Sequence, residues 1–131
     1  MAPKKIEALL LDLDGTLLDI DFRSFMNEYV ATLAAEFADV IPVDVFGRQL
    51  FESTRAMIFN AEPNRTTLEA FLEDFTAHVP LPDDAMSRFN DYYETEFPRL
   101  GRWGNPVPGS RELVEAAFEK GLRVVIATAP F

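Results

Sequence analysis

The chain has no cysteine, one histidine and one tryptophan among its 131 residues, and its 12 Lys and Arg are outnumbered by 22 Asp and Glu. Without cysteine there is no disulfide framework, thiolate metal site or Cys nucleophile, and a reducing cytoplasm is the expected compartment. The net charge of −10 argues against nucleic acid or an anionic membrane surface as a partner, because phosphate backbones select Lys and Arg. A small anionic substrate is still allowed, since one metal ion inverts the local field. No apolar run approaches the ~18 residues of a membrane span. The opening MAPKKIEALLLDLDG sets two lysines before an apolar patch, as a signal peptide would. Asp12 and Asp14 interrupt that patch where a signal peptide stays apolar. What remains, 48% hydrophobic, is too apolar for a disordered chain and long enough for one ordinary domain with a real core.

Charge and aromatic residues divide the chain into three zones. Residues 1–19 carry two Lys against four acids; residues 20–100 carry 15 acids against six Arg and hold ten of the 12 Phe; residues 101–131 carry four bases against three acids. The first zone opens with Ile6-Glu7-Ala8-Leu9-Leu10-Leu11, ended at once by Asp12-Leu13-Asp14-Gly15-Thr16. A run of that length suits strand or helix segment, and the Gly and clustered Asp that close it favour a buried parallel strand. The middle zone reads as four amphipathic helices. Its stripes are Phe22-Phe25-Tyr29-Leu33-Phe37, Val43-Phe46-Leu50-Met57, Leu68-Phe71-Leu72-Phe75-Val79 and Met86-Phe89-Tyr93-Phe97. Breaks fall at Pro42, Pro63 and Pro80 to Pro82; Thr66 or Thr67 caps the third helix with Glu69 behind it, and Asp83 or Asp84 starts the fourth. Short connections predict an antiparallel bundle. In the last zone a turn-rich loop surrounds Trp103, Ser110 caps a helix, and Leu122 to Ala127 reads as a second buried strand, an α/β half-unit.

Two carboxylates at i and i+2 directly after a strand are the strongest chemical signal. Open α/β sheets bind ligands beyond the carboxyl ends of their strands. Paired acids there can hold Mg²⁺, with one as nucleophile and the other as proton carrier. The plainer alternative is an Asx-rich turn. Against it, charges beside an apolar run are costly unless something pairs with them.

Leu9-Leu10-Leu11-Asp12-Leu13-Asp14-Gly15-Thr16-Leu17 resembles the first motif of the haloacid dehalogenase-like superfamily in its phosphatase form. Val124-Val125-Ile126-Ala127-Thr128 resembles the second motif, an apolar strand ending in Thr or Ser, and the helices between resemble the inserted cap domain. The resemblance spans the chain. It implies an α/β fold: a partial Rossmann-like core with parallel strands (1–19 and 101–131) and an inserted antiparallel helical-bundle cap (20–100). It implies a Mg²⁺-dependent phosphatase of small phosphorylated metabolites. Asp12 would form an aspartyl-phosphate and Asp14 would be the general acid–base. The Asp12 side chain and the Asp14 backbone carbonyl would bind Mg²⁺. Thr128 would hold phosphoryl oxygens, with Gly15, Thr16 and Ala129 beside it. Arg23, just past the motif, is a candidate substrate contact, although a solvated helix face is the commoner place for an arginine. Ala129 stands where many relatives carry a polar residue.

The family also supplies a Lys and a further acidic motif after the second motif, and only Ala129, Pro130 and Phe131 follow here. Lys120 sits at a helix end, where it complements the dipole, and Asp83-Asp84 precede a helix in the wrong chain order. The sequence therefore also fits a truncated or catalytically incompetent member with a binding or regulatory role. In that case an apolar face beside residues 122–127 should be exposed or covered by self-association through the incomplete sheet. His78 is expected at a helix end or surface, Asp19 in the segment leading to the helices, and Trp103 in a cleft or pinning the linker.

Overall fold

The structure, a computed structural model, describes residues 5–128. It is a mixed α/β fold in the order β1 (Ala8–Leu11), β2 (Leu18–Ile20), α1 (Phe22–Ala35), α2 (Val43–Ile58), α3 (Thr67–His78) and α4 (Ala85–Thr95). A 3₁₀ helix (Phe97–Trp103), β3 (Gly104–Pro106), α5 (Ser110–Glu119) and β4 (Arg123–Ile126) follow. Two compact units result. One runs through Phe22 and resumes at Gly101; the other is Arg23–Leu100. No helix among the described residues is long and apolar enough to cross a membrane.

In the first unit β1 and β4 pair in parallel, with Leu9 opposite Val124, Leu10 opposite Val125 and Leu11 opposite Ile126. The Arg123 N–H donates to the Glu7 carbonyl and the Ala127 N–H to the Leu11 carbonyl, so the ladder extends past both strand ends. β2 and β3 form a separate antiparallel ladder, prolonged by the Asp21 N–H to Trp103 carbonyl bond (2.9 Å) and the Val107 N–H to Leu17 carbonyl bond (2.9 Å). Asp19 lies in β2 opposite Asn105. Gly104 belongs there for steric reasons, since a Cβ would come 3.1 Å from the Leu18 Cδ1.

The two parallel strands are not buried, contrary to the sequence expectation. Leu10 is 68% exposed, and Val125 and Ile126 are also exposed. A parallel strand is buried when it has neighbours at both edges and cover on both faces, and each of these has one neighbour. On α5 only Ala117 is buried, while Leu113 and Phe118 are exposed. An apolar face beside β4 is therefore open. The helix itself starts differently from expectation: its N-cap is Gly109, in the left-handed region at φ 83°, and Ser110 is its first residue with no side-chain cap bond.

The helical unit holds most of the core. Phe37, Phe46 and Phe75 are fully buried; Phe37 and Phe46 stack with centroids 4.8 Å apart, and Phe75 meets Phe46 at 5.3 Å. Gly47 lets α2 approach α1, since a Cβ there would lie 3.1 Å from the Val30 Cγ1. A second cluster joins α1 and α4: Phe25, Tyr29, Tyr92 and Phe97 pack stacked, tilted or edge to face. Within it the Tyr29 and Tyr93 hydroxyls are 2.8 Å apart, as are those of Tyr92 and Thr32. Burial pushes the Tyr29 phenol well above its ordinary value. The helix stripes are legible at their centres and wrong at their starts. Phe22, Val43, Leu68 and Met86 are exposed, and on α4 the buried tyrosine is Tyr92 rather than Tyr93.

Caps and charges explain the boundaries. The Thr66 hydroxyl accepts from the Glu69 N–H while the Glu69 carboxylate accepts from the Thr66 N–H, a capping box that starts α3. Asp84 occupies the N-cap of α4 without capping it, because its Oδ2 accepts from the Arg88 Nε. Arg88 also donates from both terminal nitrogens to Asp39 (2.6 and 3.1 Å) and to the Glu36 carbonyl, tying α4 to the turn after α1. The hydrogen bonds from Arg88 hold the Asp39 carboxyl below its ordinary range. A carboxylate whose value is lowered on folding adds stability above its unfolded value, about 3.9, and loses it as pH falls through the lowered one. Arg88→Ala is accordingly expected to lower the melting temperature at neutral pH, with the deficit shrinking as pH falls below ~4. Circular dichroism melts across pH check this, and a deficit independent of pH would contradict it.

Candidate active site

Asp12 is the first residue past β1, and Thr128 lies two past the end of β4. Because Leu11 pairs with Ile126, the parallel register carries Asp12 and Thr128 to the same carboxyl-terminal edge of adjacent strands. Both are exposed.

The backbone then turns sharply around a single carbonyl. That of Leu13 accepts from the N–H groups of Thr16 (3.2 Å), Leu17 (2.9 Å) and Leu18 (2.9 Å), and the Gly15 N–H returns a bond to the Leu18 carbonyl (2.8 Å). Asp14 and Leu18 form an isolated bridge. The turn needs Gly15, which sits at φ 77° in the left-handed region. No other atom lies within 4 Å of where its Cβ would be, so a substituent meets backbone strain rather than a clash. Gly15→Ala is expected to cost about 1–2 kcal/mol and to slow any chemistry at Asp14. Urea unfolding measures the first effect, and an unchanged midpoint would contradict it.

This turn leaves a particular set of groups unused. Among the described residues the N–H groups of Asp12, Leu13 and Asp14 donate to no partner, and the Asp14 carbonyl accepts from none. The Asp12 and Asp14 carboxylates likewise have no hydrogen bond or ion pair to a described residue. Both are open to water, so the desolvation cost inferred from the adjoining apolar run does not arise. Successive unpaired N–H groups beside a strand end can receive an anion, and unpaired carboxylate and carbonyl oxygens can receive a hard cation.

Asp12, Asp14, Gly15, Thr16 and Thr128 thus belong to one sheet end in one unit. Arg23 belongs to the other unit, exposed in the first turn of α1. Ala129 falls outside the described residues. His78 is exposed at the end of α3, its Nδ1 donating to the Asp74 carbonyl at 2.8 Å. Trp103 ends the 3₁₀ helix, half-buried, with the Arg102 guanidinium 5.3 Å from its ring centre. Lys120 is the C-cap of α5. Sequence reasoning missed the Leu13 carbonyl that organises the turn. The signal available was Gly15 itself, since a glycine after two spaced acids implies a left-handed residue and a tight turn. It also missed Ser53, fully buried and hydrogen bonded to Asp74 at 2.8 Å. A serine at helical spacing on the Phe46-Leu50-Met57 stripe could have flagged it.

No family profile matches the chain, and neither does any curated protein or solved structure.

Proposed function

We propose that the chain carries the nucleophile end of a Mg²⁺-dependent phosphatase site of the haloacid dehalogenase-like kind, acting on a small phosphorylated metabolite in the cytoplasm. In this reading β1 and β4 belong to a Rossmann-like core, and the helical unit is an inserted cap. The observation that carries it is the pairing of Leu11 with Ile126, which aligns Asp12 with the segment ending in Thr128 while the Leu13-centred turn holds Asp14 two residues on.

A carboxylate oxygen of Asp12 attacks phosphorus, and the bond from phosphorus to the leaving oxygen breaks. Asp14 gives its proton to that oxygen. The Asp12 acyl-phosphate is then attacked at phosphorus by water, whose proton returns to Asp14, releasing phosphate and free Asp12. Thr128 and the unpaired N–H groups of Asp12 to Asp14 receive phosphoryl oxygens, with Gly15 and Thr16 shaping the approach. The oxygen donors on hand, the Asp12 carboxylate and the Asp14 carbonyl, suit Mg²⁺, which takes few protein ligands and keeps several waters. When bound, the ion would cancel the repulsion between an anionic nucleophile and an anionic substrate. Phosphoryl transfer fits better than dehalogenation, because an alkoxide needs the proton that Asp14 supplies and a halide needs none.

A second reading, a catalytically incompetent member with a binding or regulatory role, is favoured by one fact. Among the described residues no group of three or more Asp, Glu, His or Cys is assembled that could hold a metal. Hydrolysis of p-nitrophenyl phosphate with and without Mg²⁺ separates the two: Mg²⁺-dependent turnover supports the first, and its absence leaves binding alone.

A further inference from the structure

The helical unit contains a groove of about 370 Å³ along α2 and α3, far in sequence from Asp12 and Asp14. It is lined from α2 by Gln49, Glu52 and Arg55, from the helix end by Phe59, and from α3 by Asp74 and His78. Its polar end is built on a core position. Ser53 is fully buried; its hydroxyl donates to the Asp74 Oδ2 (2.8 Å) and accepts from the Gln49 Nε2 (3.0 Å), which also reaches that Oδ2 at 3.3 Å. Asp74 is thereby fixed by two neutral donors and, among the described residues, has no ion pair and no partner on its Oδ1. The His78 Nδ1 donates to the Asp74 carbonyl at 2.8 Å, fixing the ring beside Asp74. At the other end Phe59 is 75% exposed, its ring covered on one side by the Arg55 guanidinium at 6.0 Å.

The remaining hydrogen-bonding capacity of the groove is mostly acceptor: the Asp74 Oδ1, the Glu52 carboxylate and the Gln49 side-chain oxygen. Against them stands one charged donor, Arg55, already placed on an aromatic face as a ligand cation would be. We propose that this groove binds a small organic cation bearing guanidinium or ammonium groups, its head on Asp74 and Glu52 and its stem along Phe59, with Arg55 as the internal cation it displaces. The volume lies within the range of small-molecule sites, about 300–1,000 Å³. The site is independent of the phosphatase reading.

The test is titration of the full chain with agmatine, followed by amide NMR, with inorganic phosphate as the anionic control. Saturable shifts in α2 and α3 are expected with agmatine, weakened by added salt. Glu52→Gln, on an exposed side chain, should weaken binding several-fold, and Asp74→Asn, which keeps an oxygen for Ser53, should weaken it further. Arg55→Ala should tighten it several-fold, because it removes a like charge and uncovers Phe59. Absence of agmatine shifts, loss of binding in Arg55→Ala, or shifts with phosphate in place of agmatine would each overturn the proposal.

Discussion

Asp12→Asn is expected to abolish Mg²⁺-dependent hydrolysis of p-nitrophenyl phosphate, by at least about a thousandfold, with the melting curve unchanged. The side chain is exposed and bonded to no described residue, so the amide costs no packing. What it removes is the anionic oxygen that would attack phosphorus. Asp14→Asn separates the two acids further. p-Nitrophenolate leaves without needing a proton, whereas an alkoxide does not. The variant should therefore lose much more rate on an alkyl phosphate than on the aryl ester in the first step. Equal losses on both substrates would assign Asp14 a role in folding the turn or holding metal rather than in proton transfer. A wild-type chain that hydrolyses neither substrate with Mg²⁺ present would remove the catalytic reading and leave the binding one.

The second large effect concerns stability. Phe46→Ala is expected to cost about 3–5 kcal/mol. Phe46 is fully buried, stacked on Phe37 and in contact with Phe75, so the deletion opens a cavity between two aromatic rings rather than at a surface. A domain's whole stability is only about 5–15 kcal/mol, so the helical unit should approach unfolding at room temperature. Phe118→Ala on α5 removes the same atoms from a side chain 59% exposed, and should change stability by no more than about 0.5 kcal/mol. Urea denaturation followed by circular dichroism compares the two. Similar losses in both variants would contradict the assignment of the core to the helical unit.

The helices were legible because their apolar residues recur at three- and four-residue steps and their breaks are prolines. Phe25, Tyr29, Leu33 and Phe37 are all buried as that spacing requires. Periodicity reports which side faces inward but not how far the neighbouring helix reaches, which is why Phe22, Val43, Leu68 and Met86, each at the start of a stripe, came out exposed. The strands were legible as strands because short runs rich in Leu and Val stop at Asp12 and Ala127. Their burial was not, since it depends on neighbours a single strand cannot encode: Leu10 and Val125 pair with each other and face solvent. At the candidate site the order of Asp12, Asp14 and Thr128 could be read directly. The turn that presents them could not, because it is organised by a backbone carbonyl, that of Leu13, which every residue possesses.

The role proposed for Asp12 is that of a phosphoryl acceptor at a strand end supplied with N–H donors and hard oxygen ligands. Beryllium trifluoride mimics the acyl-phosphate without requiring turnover, so fluorine NMR of the chain with Mg²⁺ and beryllofluoride tests it most directly. Bound fluorine resonances are predicted, with amide shifts at residues 12–16 and 127–128, all lost in Asp12→Asn or on chelation of Mg²⁺. Free beryllofluoride alone, or bound signals that persist in Asp12→Asn, would contradict it.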